Sequence, residues 1–138
     1  ENGEKIAYIL TNGKDGLPEK FAPYLPNIKV ISATGAGYNG IDTDFAVKRG
    51  IIVAHTPGVL NADTSTTAIM LMLACYRDLL GCNRHARSGA WEKKGALQLT
   101  RSPDGRKVGL LGMGRIGTAI ARKLLAFDST VVYHSRTK

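Results

Sequence analysis

Apolar and polar positions in the first 56 residues follow the pattern of short strands separated by helices. Three apolar, β-rich segments predict buried strands: Lys5–Thr11, Ile28–Ala33 and Ile51–Ala54. Pro18 marks the start of a short helix after the first strand, and Asp42 or Thr43 caps a second helix that continues through Lys48. Strands that alternate with helices need crossover connections, so the pattern predicts a parallel sheet and an α/β fold.

The rest of the chain begins with a turn at residues 56–58, which is the predicted boundary between two domains, 1–56 and 57–138. Residues 62–80 predict one long helix that is apolar nearly all round and therefore buried on most sides. Residues 81–105 are basic and predict irregular structure. The last predicted elements are a strand, a helix defined by its apolar face and a final strand: Lys107–Leu111; Ile116, Ile120, Leu124 and Phe127; Thr130–Tyr133.

The net charge of +8 lies entirely in the second part of the chain. Residues 1–56 hold six basic and six acidic side chains, whereas residues 57–138 hold thirteen and five. A basic half is compatible with nucleic acid, a membrane surface or a phosphorylated ligand, but composition alone favours an ordinary solvated face. The longest apolar run, Ala68–Tyr76, is too short to span a bilayer, so no membrane partner is expected.

The two cysteines, Cys75 and Cys82, lie seven residues apart on a predicted helix. That spacing fits neither a CxxC redox pair nor a zinc knuckle, so no metal site is predicted. Two buried thiols in a reducing compartment are the simpler interpretation, which favours a cytoplasmic protein.

The strongest chemical signal is the GxGxxG turn from Gly112 to Gly117, which leaves a predicted strand and opens a predicted helix. Gly112 permits the tight turn, Gly114 lets a pyrophosphate approach the backbone, and Gly117 lets the helix pack close to the strand. The helix N-terminus, at Arg115 and Ile116, offers free N–H groups and partial positive charge to phosphates. Arg115 itself is expected to face the pyrophosphate or solvent. This context favours dinucleotide binding over a glycine-rich turn without a ligand.

The end of the last predicted strand indicates which dinucleotide the turn accepts. An NAD site places Asp or Glu about 20 residues further on, where it bonds the ribose 2′-OH. Here the region reads YHSRTK and contains no acid, because Asp128 precedes the strand. Ser135, Arg136 and Lys138 can instead bind a 2′-phosphate. NADP(H) is therefore the predicted cofactor and NAD the less favoured one, the alternative being that Arg136 and Lys138 are ordinary surface residues.

Several motifs follow one another in a specific order. They are the glycine-rich loop SATGAGYNGID (32–42), KRGI (48–51), TPG (56–58), a Thr-rich helix start, GAW (89–91) and the GxGxxG turn. This series resembles the D-isomer-specific 2-hydroxyacid dehydrogenase family, which includes NADP-linked glyoxylate and hydroxypyruvate reductases, and it covers essentially all 138 residues. The resemblance implies two parallel-sheet, Rossmann-like halves. Residues 1–56 would be part of a flavodoxin-like substrate-binding domain, and residues 57–138 the first half of a dinucleotide-binding domain with its long leading helix.

The resemblance also implies roles for particular residues. Backbone N–H groups of Ala36 and Gly37 would hold the substrate carboxylate, as an anion nest in a glycine-rich turn can. From the residues alone, a plain turn that needs glycine for its dihedral angles is an equal alternative. Asn12 and Gly13 are expected to line the same cleft. Thr64 is expected to contact the cofactor near its nicotinamide, and helix capping is a compatible second role.

The family's acid–base chemistry uses an Arg, a Glu and a His, and the resemblance implies that all three lie beyond Lys138. His55, His85 and His134 are expected to be structural or solvated. We therefore expect this chain to be an incomplete and inactive piece, with a half nucleotide domain whose sheet edge lacks protection.

The long helix and Trp91 match the family's dimer-forming region, so the resemblance implies a homodimer through residues 62–91. Ordinary core packing is the alternative. The implied reaction is hydride transfer from NADPH to C2 of a small 2-keto acid, such as glyoxylate or hydroxypyruvate, in a cleft between the two domains.

Two other functions compete with this interpretation. One is a non-catalytic, dinucleotide-sensing binding protein of the same fold, which would lack the Arg–Glu–His trio. The other is a nucleic-acid module with Trp91 as a stacking ring and these basic residues: Arg84, Arg87, Lys93, Lys94, Arg101, Arg106 and Lys107. The basic residues match no known module, so no nucleic-acid partner is expected.

Overall fold

The computed structural model describes residues 2–136. Its contacts divide the chain into two compact units, the first ending at Leu60 and the second beginning at Asn61. The division falls just after the turn at residues 56–58. The assignment of residues 1–56 and 57–138 to a substrate domain and a cofactor domain stays a prediction.

The first unit is a three-stranded parallel sheet in the order β1-β2-β3. Its elements are, in chain order, a 3-10 helix (Gly3–Lys5), β1 (Tyr8–Asn12), a 3-10 helix (Glu19–Tyr24), β2 (Val30–Thr34), α1 (Thr43–Lys48) and β3 (Ile52–Ala54). The predicted parallel sheet is confirmed, although β1 begins later than predicted because Lys5 belongs to the first 3-10 helix.

The core of the first unit is built around the central strand. Ile31 is fully buried and lies beside Ile9 of β1 and Val53 of β3. Phe45 packs into the same core from α1, whose start is fixed by Asp42. The Oδ1 atom of Asp42 accepts a hydrogen bond from the Phe45 N–H at 2.9 Å, which confirms the predicted helix cap.

The second unit pairs two parallel strands with helices. Its elements are α2 (Asn61–Tyr76), α3 (Leu79–Arg87), α4 (Ala90–Lys94), β4 (Lys107–Leu111), α5 (Arg115–Leu124), a 3-10 helix (Leu125–Phe127) and β5 (Thr130–His134). The helices α2 and α5 pack against each other, and Leu124 at the end of α5 is fully buried. This order of strand, helix and strand is a parallel crossover unit, as predicted.

The prediction of one helix over residues 62–80 is wrong at its C-terminal end. The helix α2 stops at Tyr76, and Asp78 adopts a left-handed conformation with φ of 43°. Its carboxylate accepts a hydrogen bond from the Gly81 N–H at 3.3 Å and so caps α3. The predicted irregular structure over residues 81–105 is also wrong in part, because this segment contains most of α3 and all of α4.

The predicted burial of the long helix on most sides is wrong within this unit. Only Ser65 and Ile69 of α2 are buried, and Met70 and Leu71 are each 56% exposed. Cys75 and Cys82 are exposed as well, against the prediction of buried thiols. The reason is that one face of α2 packs on α5, whereas Met70 and Leu71 of α2 and Leu79 and Leu80 of α3 are left exposed in this part of the chain. None of the helices in this part of the chain is long and apolar enough to cross a bilayer.

Candidate functional sites in the two units

The GxGxxG turn of the second unit connects the end of β4 to the start of α5. Gly112 has a φ of 98°, a conformation that side chains other than glycine rarely adopt. A Cβ atom on Gly117 would overlap the carbonyl oxygen of Gly112, so the third glycine permits the close approach of helix and strand. A Cβ atom on Gly114 would have no neighbouring atom within 4 Å and would point into open space. These are the three properties that the pattern requires of its glycines.

The backbone around this turn presents donors for an anion. The Gly112 N–H donates to the His134 carbonyl at 2.8 Å, which extends the pairing of β4 with β5. From Met113 to Gly117 no N–H group has an acceptor among residues 2–136. The last three of these groups belong to the first turn of α5, where the helix dipole adds partial positive charge. The turn is thus suited to a phosphate group.

A cavity of about 660 Å³ lies beside the glycine turn. It is lined by Leu111, Gly112, Met113, Gly114, His134, Ser135 and Arg136. The structure therefore brings Ser135 and Arg136, at the end of β5, to the same cavity as Gly112 and Gly114. Arg136 carries the only formal charge among these lining residues, and Asp128 lies at the opposite end of β5.

Several predicted cofactor residues are not among those that line this cavity. Arg115, Ile116 and Gly117 form the first turn of α5, and the Arg115 side chain is exposed. Thr64 is exposed in the first turn of α2 and lines neither this cavity nor the one in the first unit. Lys138 lies outside the described residues.

Three lining residues, Leu111, Met113 and His134, were not among the predicted cofactor residues. All three were visible in the sequence, since Leu111 and Met113 flank Gly112 and His134 directly precedes Ser135. These residues match no phosphate-binding sequence pattern by themselves. Their place in the cavity lining becomes visible only in the folded structure.

The glycine-rich loop of the first unit follows β2, the central strand. On one side it is bonded to the segment after β3. The Gly35 N–H donates to Thr56 Oγ1 at 3.0 Å, and the Thr56 N–H donates to the Gly35 carbonyl at 2.9 Å. The His55 Nδ1 atom lies 3.0 Å from the carbonyl oxygen of Ala36. Since a carbonyl only accepts, Nδ1 carries the proton in this bond.

On its other side the same loop contacts the segment after β1. A Cβ atom on Gly13 would overlap the carbonyl oxygen of Gly37, and the Gly40 N–H donates to the Gly13 carbonyl at 2.8 Å. The Leu17 N–H donates to the Gly40 carbonyl at 3.1 Å. Glycine at position 13 is required here because the two backbones approach too closely for a side chain.

A cavity of about 530 Å³ opens at this junction. Its lining residues are Asn12, Gly13, Lys14, Thr34, Gly37, Asn39 and Gly40. Asn12, Gly13 and Gly37, three of the four predicted substrate-binding residues, thus line one cavity, whereas Ala36 does not. That this cavity binds the substrate stays a prediction. The N–H groups of Ala36 and Gly37 have no acceptor among residues 2–136, so both are free to bind an anion.

The Asn12 side chain is occupied by its own turn. Its Oδ1 atom accepts hydrogen bonds from the N–H groups of Lys14 at 2.9 Å and Asp15 at 2.7 Å. Its Nδ2 atom donates to Asp15 Oδ2 at 2.5 Å. Asn12 therefore shapes the rim of the cavity through an Asx turn. The lining residue Lys14 and the Asp15 carboxylate, which accepts from Asn12, bring charges of opposite sign to this turn.

The sequence of the chain is similar to one protein family. Residues 69–138 match the family profile described as the D-isomer specific 2-hydroxyacid dehydrogenase NAD binding domain. Over 132 residues the chain is 41% identical to a glyoxylate/hydroxypyruvate reductase A of Arabidopsis thaliana, covering 96% of the chain and 42% of the relative.

Two solved structures have the same fold. One is a 2-hydroxyacid dehydrogenase from Ketogulonicigenium vulgare, with a TM-score of 0.92 and 39% identity over 96% of this chain and 42% of that protein. The other is an NADPH-dependent glyoxylate/hydroxypyruvate reductase from Sinorhizobium meliloti in complex with NADP and malonate. It matches with a TM-score of 0.86 and 38% identity, over 99% of this chain and 43% of its own. The chain thus spans less than half the length of these relatives.

Proposed function

The chain belongs to the D-isomer specific 2-hydroxyacid dehydrogenase family, and we propose that the protein it forms reduces small 2-oxo acids with NADPH. The observation that carries this proposal is the cavity in which Gly112 and Gly114 face Ser135 and Arg136 with no carboxylate among the lining residues. Such a site accepts a pyrophosphate at the turn and an additional phosphate at the strand end.

The cofactor assignment rests on charge and on backbone geometry. The free N–H groups from Met113 to Gly117 would hold the pyrophosphate, and open space at Gly114 leaves room for its oxygens. The Arg136 guanidinium can bind a 2′-phosphate with two hydrogen bonds, and Ser135 can donate another. The Sinorhizobium meliloti reductase, whose structure contains NADP, supports this choice of cofactor.

The substrate assignment rests on the first unit. The free N–H groups of Ala36 and Gly37 would bind a carboxylate, and Lys14 would add to the positive potential of the cavity. The names of the relatives favour glyoxylate and hydroxypyruvate as substrates. When bound, the nicotinamide supplies a hydride to the keto carbon. Residues of this chain hold and orient the acid that receives it.

Proton transfer is not assigned to any of the three histidines. His55 and His85 bond to the backbone carbonyls of Ala36 and Gly95, and His134 lines the cofactor cavity. The family resemblance implies that an Arg, a Glu and a His outside residues 1–138 perform this step. We therefore propose that these residues alone bind both reactants without turning them over.

We also propose a cytoplasmic homodimer that associates through residues 62–91. This region exposes large apolar side chains, among them Met70, Leu71, Leu80 and Trp91, and an unpaired apolar surface of this kind favours association. Its two cysteines are free thiols, which suits a reducing compartment.

Isothermal calorimetry with NADPH and NADH tests the cofactor assignment. We expect the wild-type protein to bind NADPH at least about tenfold more tightly, because a bidentate Arg–phosphate contact is strong. Arg136→Asp should weaken NADPH binding about 10- to 100-fold and change NADH binding by less than about threefold. Arg122→Asp, the same charge change in the last turn of α5, is the control and should leave both affinities within about twofold.

A preference for NADH would contradict the NADP assignment, and no binding of either nucleotide by the folded protein would contradict the dinucleotide site itself. The reaction is tested separately by following NADPH oxidation with glyoxylate and hydroxypyruvate in the full-length protein. Binding of NADPH without turnover of any 2-oxo acid would favour a non-catalytic, dinucleotide-sensing protein.

A further inference from the structure

We propose that His55 and Thr56 are positioning residues that orient the two backbone N–H groups on which the substrate carboxylate binds. The inference rests on the proposed function, because it assumes that Ala36 and Gly37 form the carboxylate site. It adds a role for two residues that line neither the cavity of the first unit nor that of the second. They act through the backbone of the glycine-rich loop.

The two residues hold consecutive carbonyl groups of the loop on one side. The Thr56 N–H donates to the Gly35 carbonyl at 2.9 Å, and the next carbonyl, of Ala36, accepts from His55 Nδ1 at 3.0 Å. Thr56 Oγ1 additionally accepts from the Gly35 N–H at 3.0 Å. Three hydrogen bonds therefore fix a stretch of loop that belongs to no helix or strand.

The direction of the free N–H groups follows from the planarity of the peptide bond. In a trans peptide the carbonyl of one residue and the N–H of the next point in opposite directions. With the Gly35 and Ala36 carbonyls held toward residues 55 and 56, the N–H groups of Ala36 and Gly37 point away from them. Two successive N–H groups on one side form the concave donor pair that binds anions.

The sheet order shows what lies on that side. The loop follows the central strand β2, residues 55 and 56 follow β3, and the opposite neighbour is β1. The cavity is lined by Asn12, Gly13 and Lys14, which stand at the end of β1, and by Gly37. The side away from His55 and Thr56 is therefore the side of the predicted substrate cavity.

The same hydrogen bonds also strengthen the donors. A proton donated to a carbonyl polarises its peptide group, which makes the N–H of that peptide a better donor to an anion. His55 acts in this way on the Gly37 N–H, and the Thr56 backbone acts on the Ala36 N–H. Both effects favour the carboxylate-bound state.

The imidazole of His55 is itself held in place. Its ring is half-buried and meets the Tyr38 ring edge-on, with centroids 4.9 Å apart and an interplanar angle of 71°. A solvated histidine would not be fixed between a backbone carbonyl and an aromatic ring. The ring orientation presents Nδ1 to the Ala36 carbonyl.

Steady-state kinetics and inhibitor binding in the full-length protein test the proposal. His55→Leu removes the donor and keeps an apolar group of similar bulk, whereas His55→Asn retains an N–H donor near the position of Nδ1. Asn27→Leu is the matched control, because Asn27 Nδ2 also donates to a backbone carbonyl, that of Glu4, at 2.8 Å in the same unit. Thr56→Val removes the Oγ1 acceptor of the Gly35 N–H and so tests the loop contact independently of His55. Thr56→Ser keeps this acceptor.

We expect His55→Leu to raise the KM for glyoxylate about three- to tenfold with kcat within about twofold, since the contact is made equally in the ground and transition states. The dissociation constant of oxalate, used as a non-reacting carboxylate probe, should rise by the same factor. The KM for NADPH should not change. His55→Asn should recover most of the lost affinity, Thr56→Val should raise the same two constants, and Asn27→Leu should match the wild type.

The wild-type protein is measured first, because absence of 2-oxo acid reduction would overturn the proposed function rather than this inference. If the wild type is active and His55→Leu and Thr56→Val leave the KM for glyoxylate and the affinity for oxalate unchanged, the positioning role is wrong. A loss of thermal stability or of active protein, with unchanged KM in the active fraction, would likewise show a structural role only. Equal losses in His55→Asn and His55→Leu would exclude hydrogen bonding as the cause.

Discussion

Gly114 and Gly117 lack side chains for different physical reasons, although both belong to the same turn. Gly117 has no space for a Cβ atom, because the Gly112 carbonyl oxygen occupies it, whereas Gly114 borders open space. The fold itself requires glycine at position 117. At position 114 glycine is required only when a ligand approaches the backbone.

This difference predicts opposite outcomes for two single-methyl changes. Gly117→Ala should destabilise the protein by about 1 to 3 kcal/mol, because the added methyl forces the helix away from the strand. Gly114→Ala should change stability by less than about 0.5 kcal/mol, because the lower entropy of the unfolded chain offsets a poorer helix cap. It should nevertheless weaken NADPH binding at least about tenfold by occupying the pyrophosphate's space. Urea denaturation and calorimetry on both variants measure this.

Unchanged stability in Gly117→Ala would contradict the close helix–strand contact. NADPH binding that is unaffected by Gly114→Ala would contradict the placement of the pyrophosphate.

At the residue level the sequence predicted the backbone geometry of the glycine turn, because the tight turn at Gly112 and the close contact at Gly117 follow local geometric rules. The pyrophosphate contact at Gly114 stays a prediction. The sequence did not predict that the Asn12 side chain accepts hydrogen bonds from the N–H groups of Lys14 and Asp15. It did not identify His55 either, whose partner, the Ala36 carbonyl, is 19 residues away. Hydrogen bonds between distant segments leave no periodic trace in a sequence.

At the level of elements, the strands were easier to predict than the helix ends. The parallel strands lie on short apolar segments flanked by turn residues, and β4 matches its predicted bounds. The break after Tyr76 was missed because it depends on a left-handed Asp78, and Asp adopts that conformation too rarely for a single Asp to indicate a break in a helix. The exposure of α2 was missed because an apolar helix pattern shows which faces can be buried, but not whether a neighbouring element covers them.

The end of α5 offers a prediction with a neighbouring control. Leu124 is fully buried, and the next residue, Leu125, is 64% exposed. Leu124→Ala should lower the free energy of unfolding by about 2 to 5 kcal/mol, because it leaves a cavity at a fully packed position. Leu125→Ala should lower it by less than about 0.5 kcal/mol. Urea denaturation monitored by circular dichroism gives both values.

Equal losses of stability in the two alanine variants would contradict the burial of Leu124 at the end of α5. A loss of stability in Leu124→Ala alone supports it. Since Leu124 lies at the end of α5 opposite to its first-turn N–H groups, the same variant should weaken NADPH binding only as far as it unfolds the protein.

At the level of the whole molecule, charge is distributed unequally between the two units. The first sixty residues carry no net charge, and the remaining ones carry all of the +8. The second unit is proposed to bind NADPH, which is more highly charged than a small 2-oxo acid. The positive charge thus lies in the unit that binds the more highly charged ligand. A positive surface raises the rate at which anionic ligands arrive, and salt reduces this effect.

The charge distribution predicts a difference between the two nucleotides. Raising the ionic strength from about 0.05 M to about 0.3 M should slow the association of NADPH several-fold, and that of NADH clearly less, because NADPH carries about two further negative charges. Stopped-flow fluorescence measures both association rates. Parallel salt dependences for the two nucleotides would show that the positive charge of the unit does not act on the 2′-phosphate.

The contact between Gly13 and Gly37 has a practical consequence for protein engineering. The segments after β1 and β2 are joined backbone to backbone, by the Gly40–Gly13 and Leu17–Gly40 hydrogen bonds and by a separation that leaves no room for a methyl group. A loop grafted from a relative at one position would meet the unchanged backbone of the other. Attempts to redesign the range of acids accepted by this scaffold therefore need to exchange residues 12–17 and 35–41 together, as a single cassette.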